Sequence, residues 1–140
     1  MRRAVATAVT LLAAGGALAG AATASATLIQ FRSPTGKIGC AATNMNGPYN
    51  LRCDVQSPTF TPPARGGCDL DNGDSFSMSA KGRPVWTCHG DTALGAGKVL
   101  GYGRTWSWGP FRCTMRTSGI TCRNNGGHGF MLSQQRASRW

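Results

Sequence analysis

The sequence predicts an all-β fold: a small antiparallel sandwich or partly open barrel stapled by three disulfides. Three observations carry that prediction. All six cysteines fall between Cys40 and Cys122 of the 140-residue chain. Two pairs of them come directly opposite each other when the chain is folded about its turn-forming residues. No long window shows the 3.6-residue apolar period of an amphipathic helix.

The first residues have a separate role. Met1-Arg2-Arg3 is a short cationic start, and an Ala/Val/Leu/Gly run follows from Ala4 to Ala22. Ala24-Ser25-Ala26 then places Ala three and one positions before a cut after Ala26. Charge, apolar run and small-residue site in that order describe a secretory signal peptide over residues 1–26 and a mature domain over 27–140. The run is rich in Ala and Gly, which partition weakly into hydrocarbon. A cleaved leader is therefore expected rather than a membrane anchor, and no transmembrane segment should remain.

The mature domain opens on a strand-like stretch, Leu28–Arg32. Next comes a hairpin signalled by Asn46-Gly47. Folding about that turn sets Cys40 opposite Cys53, Ile38 opposite Val55 and Ala42 opposite Leu51, all apolar. Lys37, Gly39, Ala41, Arg52, Asp54 and Gln56 take the other face, as the two-residue period of a strand requires. Pro48 lacks the N–H that would close a two-residue turn, so a longer loop is expected. A long Pro- and Gly-rich loop covers Pro58–Gly67. Further short strands are read at Val85–Cys88, Lys98–Tyr102, Thr105–Trp108 and Gly129–Leu132.

The second hairpin is the clearest. A turn at Thr117-Ser118 sets Cys113 opposite Cys122 and Met115 opposite Ile120. Phe111, Cys113, Met115, Ile120 and Cys122 then share one face, while arginines and threonines share the other. Cys40–Cys53 and Cys113–Cys122 follow from these registers, and Cys68–Cys88 follows by elimination. Each bridge contributes about 3 kcal/mol by chain entropy. At the C-terminus, Ser133 is placed to cap a short helix over Gln134–Arg139. Trp140 is expected to dock and close the domain.

Composition bounds the function. Once the leader is removed, 13 Lys and Arg face 5 Asp and no Glu, a formal +8. Such a surplus favours encounters with anionic material such as nucleic acid, acidic wall polymers or lipid headgroups. An even cysteine number in an exported domain reads as a disulfide framework. Zinc is disfavoured because no C-x-x-C occurs and neither histidine has finger-like spacing from a cysteine pair. No cofactor or metal is expected, and no nucleophile elbow, phosphate loop or flavin fingerprint is present.

Several fragments resemble a group of small exported six-cysteine actinobacterial proteins of unknown function. Those fragments are Phe31-Arg32-Ser33-Pro34-Thr35-Gly36-Lys37-Ile38-Gly39-Cys40, Leu51-Arg52-Cys53-Asp54, Cys88-His89-Gly90-Asp91-Thr92 and Leu100-Gly101-Tyr102-Gly103. Gly119-Ile120-Thr121-Cys122, Gly127-His128-Gly129-Phe130 and Leu132-Ser133 are similar to that family's closing motif. The resemblance implies export and a paired-cysteine domain, and it brings no activity or catalytic residues with it.

Four candidate sites follow from the residues. The register that joins Cys113 to Cys122 also places Arg112 opposite Arg123, with Arg116 nearby. Three guanidiniums on one ribbon suit an acidic polymer. His89 and His128, with Lys81 as accessory cation, suit acid–base work on a phosphodiester. Asp91 is placed to orient His89. The run Cys68-Asp69-Leu70-Asp71-Asn72-Gly73-Asp74 is oxygen-rich, but it lacks the order of a calcium loop and reads as a turn beside a disulfide. Trp106 and Trp108 share one strand face, which is expected to be the buried one.

The leading expectation is a monomeric, non-catalytic domain, secreted or attached to the cell wall, that binds an acidic wall polymer or other anionic ligand through Arg112, Arg116 and Arg123. Two alternatives belong to other classes. One is a small basic ribonuclease-like hydrolase using His89 and His128. The other is a secreted inhibitor or effector domain that recognises a protein.

Overall fold

The computed structural model describes residues 25–45, 47–64 and 66–140. The expected leader lies outside the described residues apart from Ser25 and Ala26, as does Asn46 of the first turn. Among the described residues the chain forms strands and no helix, and no helix is long and apolar enough to cross a membrane.

The first sheet contains β1 (Leu28–Arg32), β2 (Ile38–Thr43), β3 (Asn50–Val55), β4 (Ser75–Ser79), β5 (Val85–Trp86) and β6 (Lys98–Val99), in the order β5-β4-β3-β2-β1-β6. The second contains β7 (Thr105–Trp108), β8 (Phe111–Arg116), β9 (Gly119–Arg123), β10 (Gly129–Leu132) and β11 (Ala137–Arg139), in the order β11-β10-β9-β8-β7. Every pairing is antiparallel except β1 with β6, which run parallel. The sheets are not closed into a barrel. Of the two architectures expected, the sandwich is the one adopted.

Both hairpin registers are those read from the sequence. β2 and β3 pair Ile38 with Val55, Cys40 with Cys53 and Ala42 with Leu51. Residues 44–49 connect them, the longer loop that Pro48 demands. β8 and β9 pair Cys113 with Cys122 and Met115 with Ile120 across a two-residue connection at Thr117-Ser118. The disulfides are Cys40–Cys53, Cys68–Cys88 and Cys113–Cys122. In both hairpin bridges the Cα atoms approach to 4.1 Å, the close spacing of the narrow pairs in an antiparallel ladder.

The inner faces meet in one core. Phe31, Leu51, Phe76 and Met78 of the first sheet are buried against Phe111, Met115, Phe130 and Leu132 of the second. Phe76 and Phe130 touch across the interface with ring centroids 5.4 Å apart. Full burial of each such side chain contributes about 1.5–3 kcal/mol. The tryptophan face of β7 points inward as expected. Trp106 packs on Phe31 at 4.5 Å, and Trp108 meets Tyr49 edge-on at 5.0 Å.

The C-terminus departs from expectation. No helix forms over Gln134–Arg139; Ala137–Arg139 is instead β11, paired antiparallel with β10. Ser133 does act as a cap, but of a tight turn. Its N–H and its hydroxyl both donate to the Arg136 carbonyl, and its oxygen accepts from the Arg136 N–H. The reason is that the segment has no apolar stripe to bury as a helix, whereas β10 offers an unpaired edge that satisfies its backbone. Trp140 docks as expected: its backbone exchanges two hydrogen bonds with Gly129.

Candidate anion-binding face

The outer face of the second sheet is built by simple alternation. Along β8, Phe111, Cys113 and Met115 are buried, which forces Arg112, Thr114 and Arg116 outward. Along β9, buried Ile120 and Cys122 likewise turn Thr121 and Arg123 outward. The ladder then sets these residues in rows. Arg112 is directly opposite Arg123, Thr114 opposite Thr121, and Arg116 opposite Gly119. Thr105 of β7 extends the threonine row, its hydroxyl 3.0 Å from that of Thr114. Arg112, Thr114, Arg116, Thr121 and Arg123 line a shallow depression of about 240 Å³.

The charges on this face are unanswered. Among the described residues, none of the three arginines makes an ion pair with a carboxylate. The cause lies in the distribution of charge along the chain. All five Asp precede Thr92, while seven Lys and Arg follow it, so the entire second sheet is built without an acid. The contact that steadies Arg123 is aromatic: its guanidinium carbon lies 5.0 Å from the Trp140 ring centroid. Such stacking leaves the guanidinium edge free to donate. The face can therefore offer fork-like N–H donors and threonine hydroxyls to an anion, and among the described residues no carboxylate competes for the guanidiniums.

The model of a family of unknown function, DUF6636, matches residues 10–139. The chain belongs to DUF6636. Comparison with curated proteins and with solved structures gives no match.

The two histidines of this DUF6636 chain sit at opposite ends of the β4–β5 hairpin. His89 is buried beside the start of β4. One ring nitrogen lies 2.9 Å from the Asp74 carboxylate and the other meets the Asp91 backbone carbonyl, so both are engaged by acceptors. Asp91 thus does orient His89, through its main chain. His128 belongs to the β9–β10 turn, where Asn124 accepts from the His128 N–H and donates to the carbonyls of Ser79 and Gly82 at the far end of β4. The intervening strand Ser75–Ser79 separates the two regions by roughly 15 Å. Lys81 belongs with His128, its backbone packed on Gly126. These three residues are not gathered into one cleft.

The acidic run is likewise committed to structure. Asp71 and His89 exchange backbone hydrogen bonds, and Asp74 is the partner of the His89 ring. Among the described residues, no group of three His, Cys, Asp or Glu side chains is arranged to hold a metal ion.

One constellation was not read from the sequence. Arg52 and Asp54, two apart on β3, share its outer face. Arg52 donates to both Asp54 oxygens at 2.7 Å and also to the side chain and backbone carbonyl of Asp91. The buried Asp54 carboxylate accepts further bonds from Ser75, Thr92 and the Ala93 N–H. Burial opposes its charge, but the hydrogen bonds from Arg52, Ser75 and Ala93 and the attraction of Arg52 outweigh it and hold the carboxyl below the usual carboxylate range. Gly39, opposite Asp54, completes the seat: a Cβ there would stand 2.2 Å from the Ala93 carbonyl oxygen. The network fastens residues 91–93 to the sheet. Its signal in the sequence is the Arg-x-Asp spacing on a strand, whose third partner lies 39 residues away.

Proposed function

We propose that this chain is exported and acts as a non-catalytic monomeric domain, free or attached to the cell wall, that binds an anionic polymer through Arg112, Arg116 and Arg123. The observation that carries the reading is the direct opposition of Arg112 and Arg123 without a carboxylate between them. Like charges in that position are mildly destabilising, and a protein has little use for them unless an external anion supplies the counter-charge. The cationic start, apolar run and Ala24-Ser25-Ala26 site support export. Three disulfides suit an oxidising compartment. The resemblance to exported actinobacterial proteins supports an envelope setting.

The test is retention of the purified, oxidised protein on acidic cell-wall polymer across a salt gradient. The wild type should be retained at low salt and released as screening increases. The triple variant Arg112→Glu, Arg116→Glu, Arg123→Glu should bind at least tenfold more weakly. Equal binding by wild type and variant would overturn the reading.

A further inference from the structure

Three turns converge where the two sheets meet at one end of the sandwich, and they line an open-mouthed cavity of about 230 Å³. The β1–β2 turn contributes Thr35 and Lys37, the β8–β9 end contributes Arg116 and Thr117, and the β10–β11 turn contributes Gln135. Tyr102 of the β6–β7 connection stands at the rim. Buried Ile38 and Met115 supply an apolar floor. The back is kept flat by Gly119, which has φ +126° and whose position leaves no room for a Cβ against the Leu132 carbonyl.

The charged groups of this cavity are of one sign. Lys37 enters from the first sheet and Arg116 from the second, and no carboxylate lines the space. Among the described residues, neither cationic side chain has a hydrogen-bond or ion-pair partner in the protein. Thr35 is already committed, accepting from the Lys37 N–H and bonding to Ser33. Among the described residues, the side chains of Tyr102, Thr117 and Gln135 carry no such bond, so the lining includes two hydroxyls and an amide whose hydrogen-bonding capacity is unspent. The volume equals about eight water molecules and falls below the roughly 300–1,000 Å³ of sites for larger ligands. It therefore suits one compact unit. Two cations call for an anionic group, hydroxyl and amide partners call for a polyhydroxylated body, and Ile38 with Met115 calls for one apolar face.

We propose that this cavity is a binding site for a single polyhydroxylated anion, of the sugar-acid or polyol-phosphate class, with its anionic group held between Lys37 and Arg116. The site goes beyond the polymer-binding face. It meets that face only at Arg116, so either can fail without the other.

The experiment is a titration of isotope-labelled, oxidised full-length mature protein with glycerol 3-phosphate, galacturonate and neutral galactose, followed through its backbone amide resonances. One or both anions should saturate, with shifts concentrated in residues 35–38, 102, 116–119 and 133–135, while galactose should bind at least tenfold more weakly. Lys37→Ala removes an exposed side chain that the fold does not use, and it should raise the Kd for the anion at least tenfold. Arg112→Thr, on the polymer-binding face, should change that Kd less than twofold. Absence of saturation by both anions would overturn the proposal. So would shifts confined to the outer face of β8 and β9, an unchanged Kd in Lys37→Ala, or an equal loss in Arg112→Thr.

Discussion

Arg112 and Arg123 face each other directly across the β8–β9 ladder, one strand spacing apart, with no carboxylate to answer either. The adjacent pair of the ladder is joined on the inner side by the Cys113–Cys122 bridge. The bridge therefore keeps the two arginine backbones opposed whether or not their side chains repel.

That arrangement makes stability and binding move in opposite directions. Arg112→Thr removes the repulsion and leaves a small β-branched residue between Ser107 and Arg123. It should raise stability by a few tenths of a kcal/mol, about 2 °C in Tm, while weakening binding to acidic polymer. Arg112 is the cleaner choice because Arg123 also stacks on Trp140. A thermal melt and a retention assay on one preparation check both signs, and a lower Tm would show that the pair is not repulsive.

The Asp54 network is expected to set the acid limit of the fold. Its folded-state pKa lies below the unfolded value of about 4. Its contribution is therefore present above about pH 4 and is lost as the pH falls through the folded value. Urea unfolding should give a stability that is level toward neutrality and declines below about pH 4. Asp54→Asn should lower stability at pH 7 by about 3 kcal/mol, because it leaves a partly buried guanidinium short of a partner. The variant should also show a shallower acid decline. A variant as acid-sensitive as the wild type would assign the acid limit to other carboxylates.

Gly39 is the position where the seat of residues 91–93 is least forgiving. Gly39→Val places a branched side chain where even a Cβ meets the Ala93 carbonyl oxygen at 2.2 Å. The segment must lift from the sheet, and with it the Ala93 N–H that Asp54 accepts. A loss of about 1–3 kcal/mol is expected. Amide exchange of Ala93 should accelerate with it, and unchanged protection there would show that the segment is held by other contacts.

The hairpin bridges are expected to be indispensable in combination. Cys113→Ala with Cys122→Ala should lower stability by about 3 kcal/mol, which corresponds to a fall in Tm of roughly 10 °C or more. Removing Cys40 and Cys53 as well should leave a chain that does not hold its fold at 37 °C, given typical stabilities of about 5–15 kcal/mol. Far-ultraviolet circular dichroism of the two variants checks both statements.

Much of this molecule is legible from local signals, and the remainder shows where such signals stop. The β8–β9 hairpin can be read because a two-residue turn and alternation agree along Phe111–Arg116 and Ile120–Arg123. The arginine face follows from that register alone. β4 escapes notice because Ser75–Ser79 offers only Phe76 and Met78 between serines, and its strand character comes from lying between β3 and β5. β11 is misread because good helix formers with a cap resemble a helix until a neighbouring sheet edge competes for the same backbone. The Arg52–Asp91 contact and the cavity beside Lys37 depend on which loops the topology brings together. No spacing within a single segment encodes that. The separation of His89 from His128 is of the same kind, since it is set by the length of β4.

All three bridges close loops within a single sheet, and one stretch of chain, residues 100–104, passes from the first sheet to the second. The molecule consequently has a seam that no covalent bond crosses apart from that passage. A protease cut at exposed Tyr102, Gly103 or Arg104 would leave two halves, each still internally bridged, that cohere through packing and hydrogen bonds such as those of Asn124 and Gln134, and that part in denaturant without any reductant. A cut in the loop of either bridged hairpin leaves its fragments tied.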